Sequence, residues 1–233
     1  MRFSDLNNVD VTASKMIQYY HRNLMDNAGH FILNTGEILP VGYGQAVAEY
    51  NMPKKNIGCC GGAALYNFKM IEKIGFFDPF FQNGYEDAEF GYRAFLEGYK
   101  CMYCPEAIVY HKGGASIKKV FNEEYAIKTQ EDILYTYLKL NPMSYKVLNF
   151  PFICLRYIIL LLGLVLICKI KYARILFRAI LRIIKKRRSI SYSYHSKISL
   201  WKIISQQQFF IWFDIKRFFK TVFLRQDNAL DSY

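Results

Sequence analysis

The 233-residue chain predicts an α/β fold, a mixed sheet with flanking helices, followed by amphipathic helices of a membrane-associating kind. Three observations carry this expectation. Between Asn56 and Ser116 short β-like runs alternate with helical spacing, and glycines mark the junctions. Charge is split along the chain: residues 1–146 carry 15 Lys/Arg against 16 Asp/Glu, a net of −1, and residues 147–233 carry 16 against 3, a net of +13. The basic residues of that second part are interleaved with Leu, Ile, Phe and Trp, whereas a soluble nucleic-acid binder mixes them with polar residues. An anionic membrane surface is therefore the expected partner and nucleic acid is not. A nucleic-acid-binding reading rests on the tail charge alone.

Residues 1–25 are polar, with helical character expected from Val11 to Tyr20. Phe31–Leu33, the turn at Asn34–Gly36 and Ile38 predict a hairpin. A loop runs from Gly42 to about Lys55, and Ile57–Cys60 reads as a short buried strand. Ala63–Ile74 is expected to be helical, with Leu65, Phe68, Ile71 and Ile74 on one face and Gly75 as C-cap. A second helix spans Gly84–Glu97 and stops at Gly98. Two β segments, Tyr99–Tyr103 and Ala107–Tyr110, flank Pro105-Glu106. A longer helix, capped by Asn122, runs to Leu140 and is ended by Asn141-Pro142.

The second part, 147–225, reads as a hydrophobic and basic membrane-associating region, with a disordered tail at 226–233. Only Tyr157–Cys168 is an uninterrupted apolar run. At the helical rise its 12 residues cover roughly 18 Å, short of a hydrocarbon core of roughly 30 Å. Extension back to Val147 places Arg156 inside, at a cost on the order of 3 kcal/mol. Interfacial burial is the first expectation and a single span the second. Lys171, Arg174, Arg178, Arg182 and Lys185 form a basic stripe on the next helix, followed by Lys186-Arg187-Arg188. A solvated basic face on a core-packing helix gives the same spacing. Residues 200–220 repeat the theme with Trp201, Phe209, Trp212, Lys216 and Arg217. The start of the chain shows no secretory leader pattern, which places the globular part in the cytoplasm. Of six cysteines, Cys101 and Cys104 form the single CxxC; without a second pair, reduced thiols are expected rather than a zinc site.

Several side chains have the chemistry of a site. Asp87 falls in the first turn of a helix, where the dipole favours an anionic side chain, and it suits a general base. Its neighbour Glu86 has a structural explanation, with Asn83 as N-cap and Glu86 reaching back from the third position. Glu89 and Arg93 have the spacing of a surface pair. His111 follows a β-like run; as a metal ligand it needs carboxylate partners, and Mn²⁺ or Mg²⁺ suits such a set. Gly61 and Gly62 permit close approach of a ligand at a strand-to-helix turn, or serve only the turn.

In order, Gly61-Gly62-Ala63-Ala64-Leu65-Tyr66, Ile74-Gly75-Phe76-Phe77-Asp78, Glu86-Asp87-Ala88-Glu89, Gly98-Tyr99-Lys100 and Pro105-Glu106-Ala107 through Val109-Tyr110-His111-Lys112-Gly113-Gly114 resemble the acceptor-side half of family-2 glycosyltransferases, in particular rhamnosyltransferase-like enzymes. Asp26-Asn27-Ala28-Gly29-His30 resembles the segment leading into it. The likeness covers Asp26–Leu140, and the basic tail is similar to the family's membrane-associating C-terminus.

The resemblance implies that residues 1–146 form a partial, Rossmann-like domain of GT-A type. It implies inverting transfer of a sugar from a nucleotide-sugar donor to an acceptor hydroxyl of a saccharide or lipid-linked acceptor, in polysaccharide or glycolipid synthesis at the cytoplasmic side of the cell membrane. Asp87 matches the catalytic base and Glu86 its neighbour. Gly61, Gly62, Ala63 and Tyr85 are the candidate substrate-binding residues, and His111 matches a histidine that completes a site for Mn²⁺ or Mg²⁺. The departure is the absence of an Asp-x-Asp motif: Asn8-Val9-Asp10 lacks the first acid. Roughly a hundred residues of donor-binding structure are expected ahead of Met1, judged by domain size. The chain is thus expected to be inactive unless a separate chain or a longer product supplies that half. The alternative is a non-catalytic membrane-associated remnant or interaction module that keeps the fold.

Overall fold

In the computed structural model, which describes residues 2–82, 84–113, 122–186, 190 and 196–215, the chain is mixed α/β and divides into two compact units. The first comprises Met1–Ile32, Ile38–Gly113 and Lys197–Gln206, and the second Leu33–Glu37, Gly114–Ser196 and Gln207–Tyr233.

The first unit is built on β1, Val11–Gln18, where a helix is expected from sequence. The strand runs parallel to β7, Cys101–His111, along its whole length, and its other edge is shared by β6, Ala64–Tyr66, and β2, Met25–Asn27, both antiparallel. Six of its eight residues are buried, so its sequence lacks the clean alternation that marks a half-exposed strand. β7 joins the two expected segments: its ladder with β1 jumps from Cys104 to Ile108, and Pro105-Glu106-Ala107 bulges out between them. β5, Lys54–Asn56, pairs with Cys101–Tyr103. Ile57–Cys60 forms only an isolated bridge, Gly58 to His30, rather than a strand. The expected hairpin is present, as β3, His30–Leu33, and β4, Ile38–Pro40, pair in register Ile32 to Ile38.

The expected helix over Ala63–Ile74 splits into a 3₁₀ turn at Gly61–Ala63, strand β6, and α2 at Phe68–Ile74, after α1 at Arg2–Asn7. The splitting residue is Asn67: its side chain accepts from the Lys69 amide at 3.0 Å and starts the helix afresh. Gly75 is the C-cap at φ +76, a conformation costly for other residues, and its N–H donates to Ile71 O. α3, Glu86–Leu96, is buried from Ala88 to its end, and Phe90 and Ala94 join Val11, Cys59 and Met70 in the core.

Arg93 of α3 forms a buried ion pair rather than the expected surface pair. It meets Glu89 at 3.0 Å through Nε and again through Nη2, and it donates to the carbonyls of Ile74, Gly75 and Phe76. One arginine thereby ties the end of α2 to α3.

The second unit contains α4, Glu123–Leu140, α5, Met143–Leu166, and α6, Ile170–Lys186. Asn122 caps α4, accepting from Tyr125 N at 2.8 Å. Ile127 of α4 packs against Ile175 and Ala179 of α6. Along the same helix pair Arg178, Arg182 and Lys186 meet Glu123, Glu124 and Glu131. Part of the basic stripe is therefore turned to an acidic helix and not to an outside surface. Lys185 and Arg174 of the stripe are exposed.

Among the described residues α5 is the helix long and apolar enough to cross a membrane by length and composition. It carries Pro151 within it. Arg156 is buried inside this unit, held by Glu37, by Asp214 Oδ2 at 2.8 Å and by Thr35 Oγ1 at 3.1 Å. The sequence-based cost of Arg156 among lipid chains therefore does not arise at this position. Arg187, Arg188, Lys216, Arg217 and the tail lie outside the described residues.

Candidate active site

The site lies entirely in the first unit and is organised around the Gly61–Ala63 turn. Asp87, in the first turn of α3, accepts from the Gly61 amide through Oδ2 at 2.8 Å. The Cys60 thiol lies within the field of the Asp87 charge. Burial, then the Asp87 charge, pushes that thiol up to about 12, so it stays protonated. At the next residue of the turn, a Cβ placed on Gly62 would lie 4.0 Å from His111 Nε2. Asp87 and His111, the base and the metal histidine expected from sequence, thus lie at one short turn, although 24 positions separate them.

The approach of α3 to the turn depends on two glycines. A Cβ on Gly91 would stand 2.6 Å from the Gly58 Cα. No larger residue fits without moving the backbone, so this contact sets how near Asp87 comes to Gly61, one helical turn further along.

Glu86 occupies the first position of α3 instead of the third, because Tyr85 is the N-cap. The capping explanation therefore fails, and Asn83 lies outside the described residues. Glu86 Oε2 is buried without a hydrogen-bond partner among the described residues. Tyr85 has φ +70, an uncommon conformation for a bulky residue, and its hydroxyl accepts from the Ile38 amide at 2.8 Å. Gly62 and Ala63 line a groove with Thr12, Ser14, Cys104 and Val109, and Gly61 is not part of its lining.

Two further residues belong to the site. Asp26 of β2 meets His111 Nδ1 through Oδ2 at 2.8 Å, and this hydrogen bond raises the imidazole above the ordinary histidine range. His30 is buried; its Nδ1 has no partner among the described residues, and burial lowers its pKa against the opposing pull of the Asp87 charge. As a metal ligand His111 calls for carboxylate partners, and that was the available signal for Asp26. Nothing in the sequence ties His30 to Asp87; the fold brings His30 within the field of that charge. Asp10, the acid of the near-miss Asn8-Val9-Asp10, serves the fold, accepting from Lys100 N at 3.0 Å and from Asn67 Nδ2 at 3.3 Å.

The residues present fit one nitrogen donor to a divalent cation. Among the described residues no group of three or more His, Cys, Asp and Glu side chains comes together. A hard cation takes about six ligands, so His111 would contribute to a site completed by oxygen ligands from elsewhere.

No protein-family model matches the chain, and no curated protein matches it.

Proposed function

We propose that the chain is the acceptor-side, membrane-associating part of an inverting family-2 glycosyltransferase of GT-A type, rhamnosyltransferase-like, whose donor-binding half comes from a separate chain or a longer product. The observation that supports this reading is the turn at Gly61–Ala63, held by Asp87 at Gly61 and approached by His111 at Gly62.

In the proposed reaction Asp87 removes the proton of an acceptor hydroxyl as that oxygen attacks the anomeric carbon. The new C–O bond forms as the bond to the nucleoside diphosphate breaks, and the anomeric configuration inverts. The Gly61 amide holds the carboxylate in position, and the Cys60 thiol within its field stays protonated. Mn²⁺ or Mg²⁺, when bound with His111 as one ligand, would offset charge on the departing diphosphate. The exposed apolar residues of α5, including Phe150, Ile158 and Leu162, together with Lys185 and Arg174 of α6, support attachment to an anionic membrane surface on the cytoplasmic side.

The test is reconstitution of the chain with a donor-binding half, assayed with nucleotide-sugars and Mn²⁺ on a lipid-linked acceptor. Asp87→Asn should cost about 10²–10⁴-fold in turnover while preserving the fold. Near-normal turnover would remove Asp87 as the base. Absence of transfer by the wild-type assembly with every donor tried would favour the non-catalytic remnant.

A further inference from the structure

We infer that Asp26 is the positioning residue for His111: it fixes the imidazole as the Nδ1–H tautomer, so that the bare Nε2 lone pair is presented to the Gly61–Ala63 turn. The inference rests on the reading of His111 as a ligand only for the affinity it predicts; the tautomer stands on geometry alone.

His111 Nδ1 and Asp26 Oδ2 are 2.8 Å apart. A carboxylate can only accept, so the ring nitrogen facing it must carry the hydrogen. In the neutral ring the other nitrogen, Nε2, then holds the lone pair. Which ring nitrogen lies toward the turn follows from the glycines near the ring. On the Nδ1 side, a Cβ built on Gly113 would be 3.4 Å from Asp26 Oδ1 and 4.0 Å from His111 Nδ1, so Gly113 backs the pair closely. The nearest atom of the ring to Gly62 is Nε2, at 4.0 Å from the position a Cβ would take.

Asp26 is well placed to impose this. Its side chain is 13% exposed, and the strand that carries it is paired to β1 through Met16–Asn27 and Ile17–Met25. β1 is in turn paired to β7 with Gln18 opposite His111. The dyad is therefore built across three adjacent strands, so neither partner needs a loop rearrangement to meet the other. A carboxylate behind the ring also raises the basicity of the nitrogen in front, and loss of such a partner typically weakens metal binding about 10–100-fold.

The experiment uses the full 233-residue chain in detergent with ¹⁵N-labelled histidine, His111 being assigned by comparison with His111→Gln. Long-range ¹H–¹⁵N spectra at alkaline pH report which ring nitrogen carries the hydrogen. Wild type should show His111 as the Nδ1–H form. Asp26→Ala should shift it toward the Nε2–H form that a free imidazole prefers. Asp26→Asn, whose carbonyl still accepts, should retain the wild-type tautomer and serves if the alanine variant fails to fold. Mn²⁺ should broaden the His111 signals next to Nε2, with about 10–100-fold weaker affinity in Asp26→Ala. An Nε2–H form in wild type, or an unchanged tautomer in folded Asp26→Ala, overturns the inference. Absence of broadening in wild type instead counts against His111 as a ligand and leaves the tautomer result intact.

Discussion

Each unit buries an arginine, and the two are held differently. Arg93 answers to Glu89, one turn away on its own helix, and to three successive carbonyls at the end of α2. Arg156 answers to Glu37 and Asp214, which lie 119 positions before it and 58 positions after it in sequence. In the first unit the charge secures a local junction between α2 and α3, close to the site. In the second it gathers distant parts of the chain around α5. Apolar surface follows the same division. In the first unit α3 is buried along nearly its whole length, whereas α5 leaves Phe150, Ile158, Ile159 and Leu162 exposed. The first unit carries the proposed site, and the second leaves an apolar face that suits the proposed membrane attachment.

The largest effect that would sharpen this contrast is removal of either arginine. Arg93→Met and Arg156→Met take the arginine away from the buried Glu89 and Glu37 carboxylates, at an expected cost of about 3–5 kcal/mol in denaturant unfolding. The Arg93 variant should also loosen hydrogen-exchange protection at Phe76, and the Arg156 variant at Thr35. Uniform loss of protection across both units in either variant would break the distinction between local and long-range anchoring.

Gly91→Ala comes next, with about 1–3 kcal/mol expected from forcing α3 away from Gly58. Because that contact bears on the position of Asp87, the proposed assembly with a donor-binding half should lose turnover as well as stability. A smaller effect concerns pH. His111 is raised in the fold by its hydrogen bond to Asp26, so the pair stabilises the fold fully below the ordinary histidine pKa. That contribution is lost as pH rises through the elevated folded value. Melting temperature against pH should fall through this window in wild type, and the step should vanish in Asp26→Ala. The smallest effect is expected for Arg182→Ala. Its partner Glu124 is 63% exposed, and such pairs contribute under about 1 kcal/mol. A loss comparable to that of Arg156→Met would mean that the α4–α6 pairs act as one network.

Much of the helical part was legible from residue spacing. α6 appears where its apolar and basic residues recur, and α4 begins at its Asn122 cap. The turn at Gly36 and the cap at Gly75 were visible because glycine is needed at positive φ there. β1 was not legible. It is buried on both faces, and this removes the alternation by which a strand is read. The strand β6 was hidden for a related reason: Leu65, Phe68, Ile71 and Ile74 fit one helix face, and only pairing with β1 pulls Ala64–Tyr66 into the sheet.

By itself the sequence determined where the charged and apolar residues lie and which short motifs bear chemistry, because composition, periodicity and capping are local properties. Asp87 and His111 could be singled out on those grounds. Tertiary structure alone decided what surrounds them: Gly61 on the Asp87 carboxylate, Asp26 behind the imidazole, and Glu86 without the capping role its position implied. It also decided that Arg156 is enclosed by carboxylates and that part of the basic stripe faces α4. The physical reason is that hydrogen bonds and ion pairs are set by distances of about 3 Å, and residues far apart in sequence reach such distances only once the strands and helices have packed.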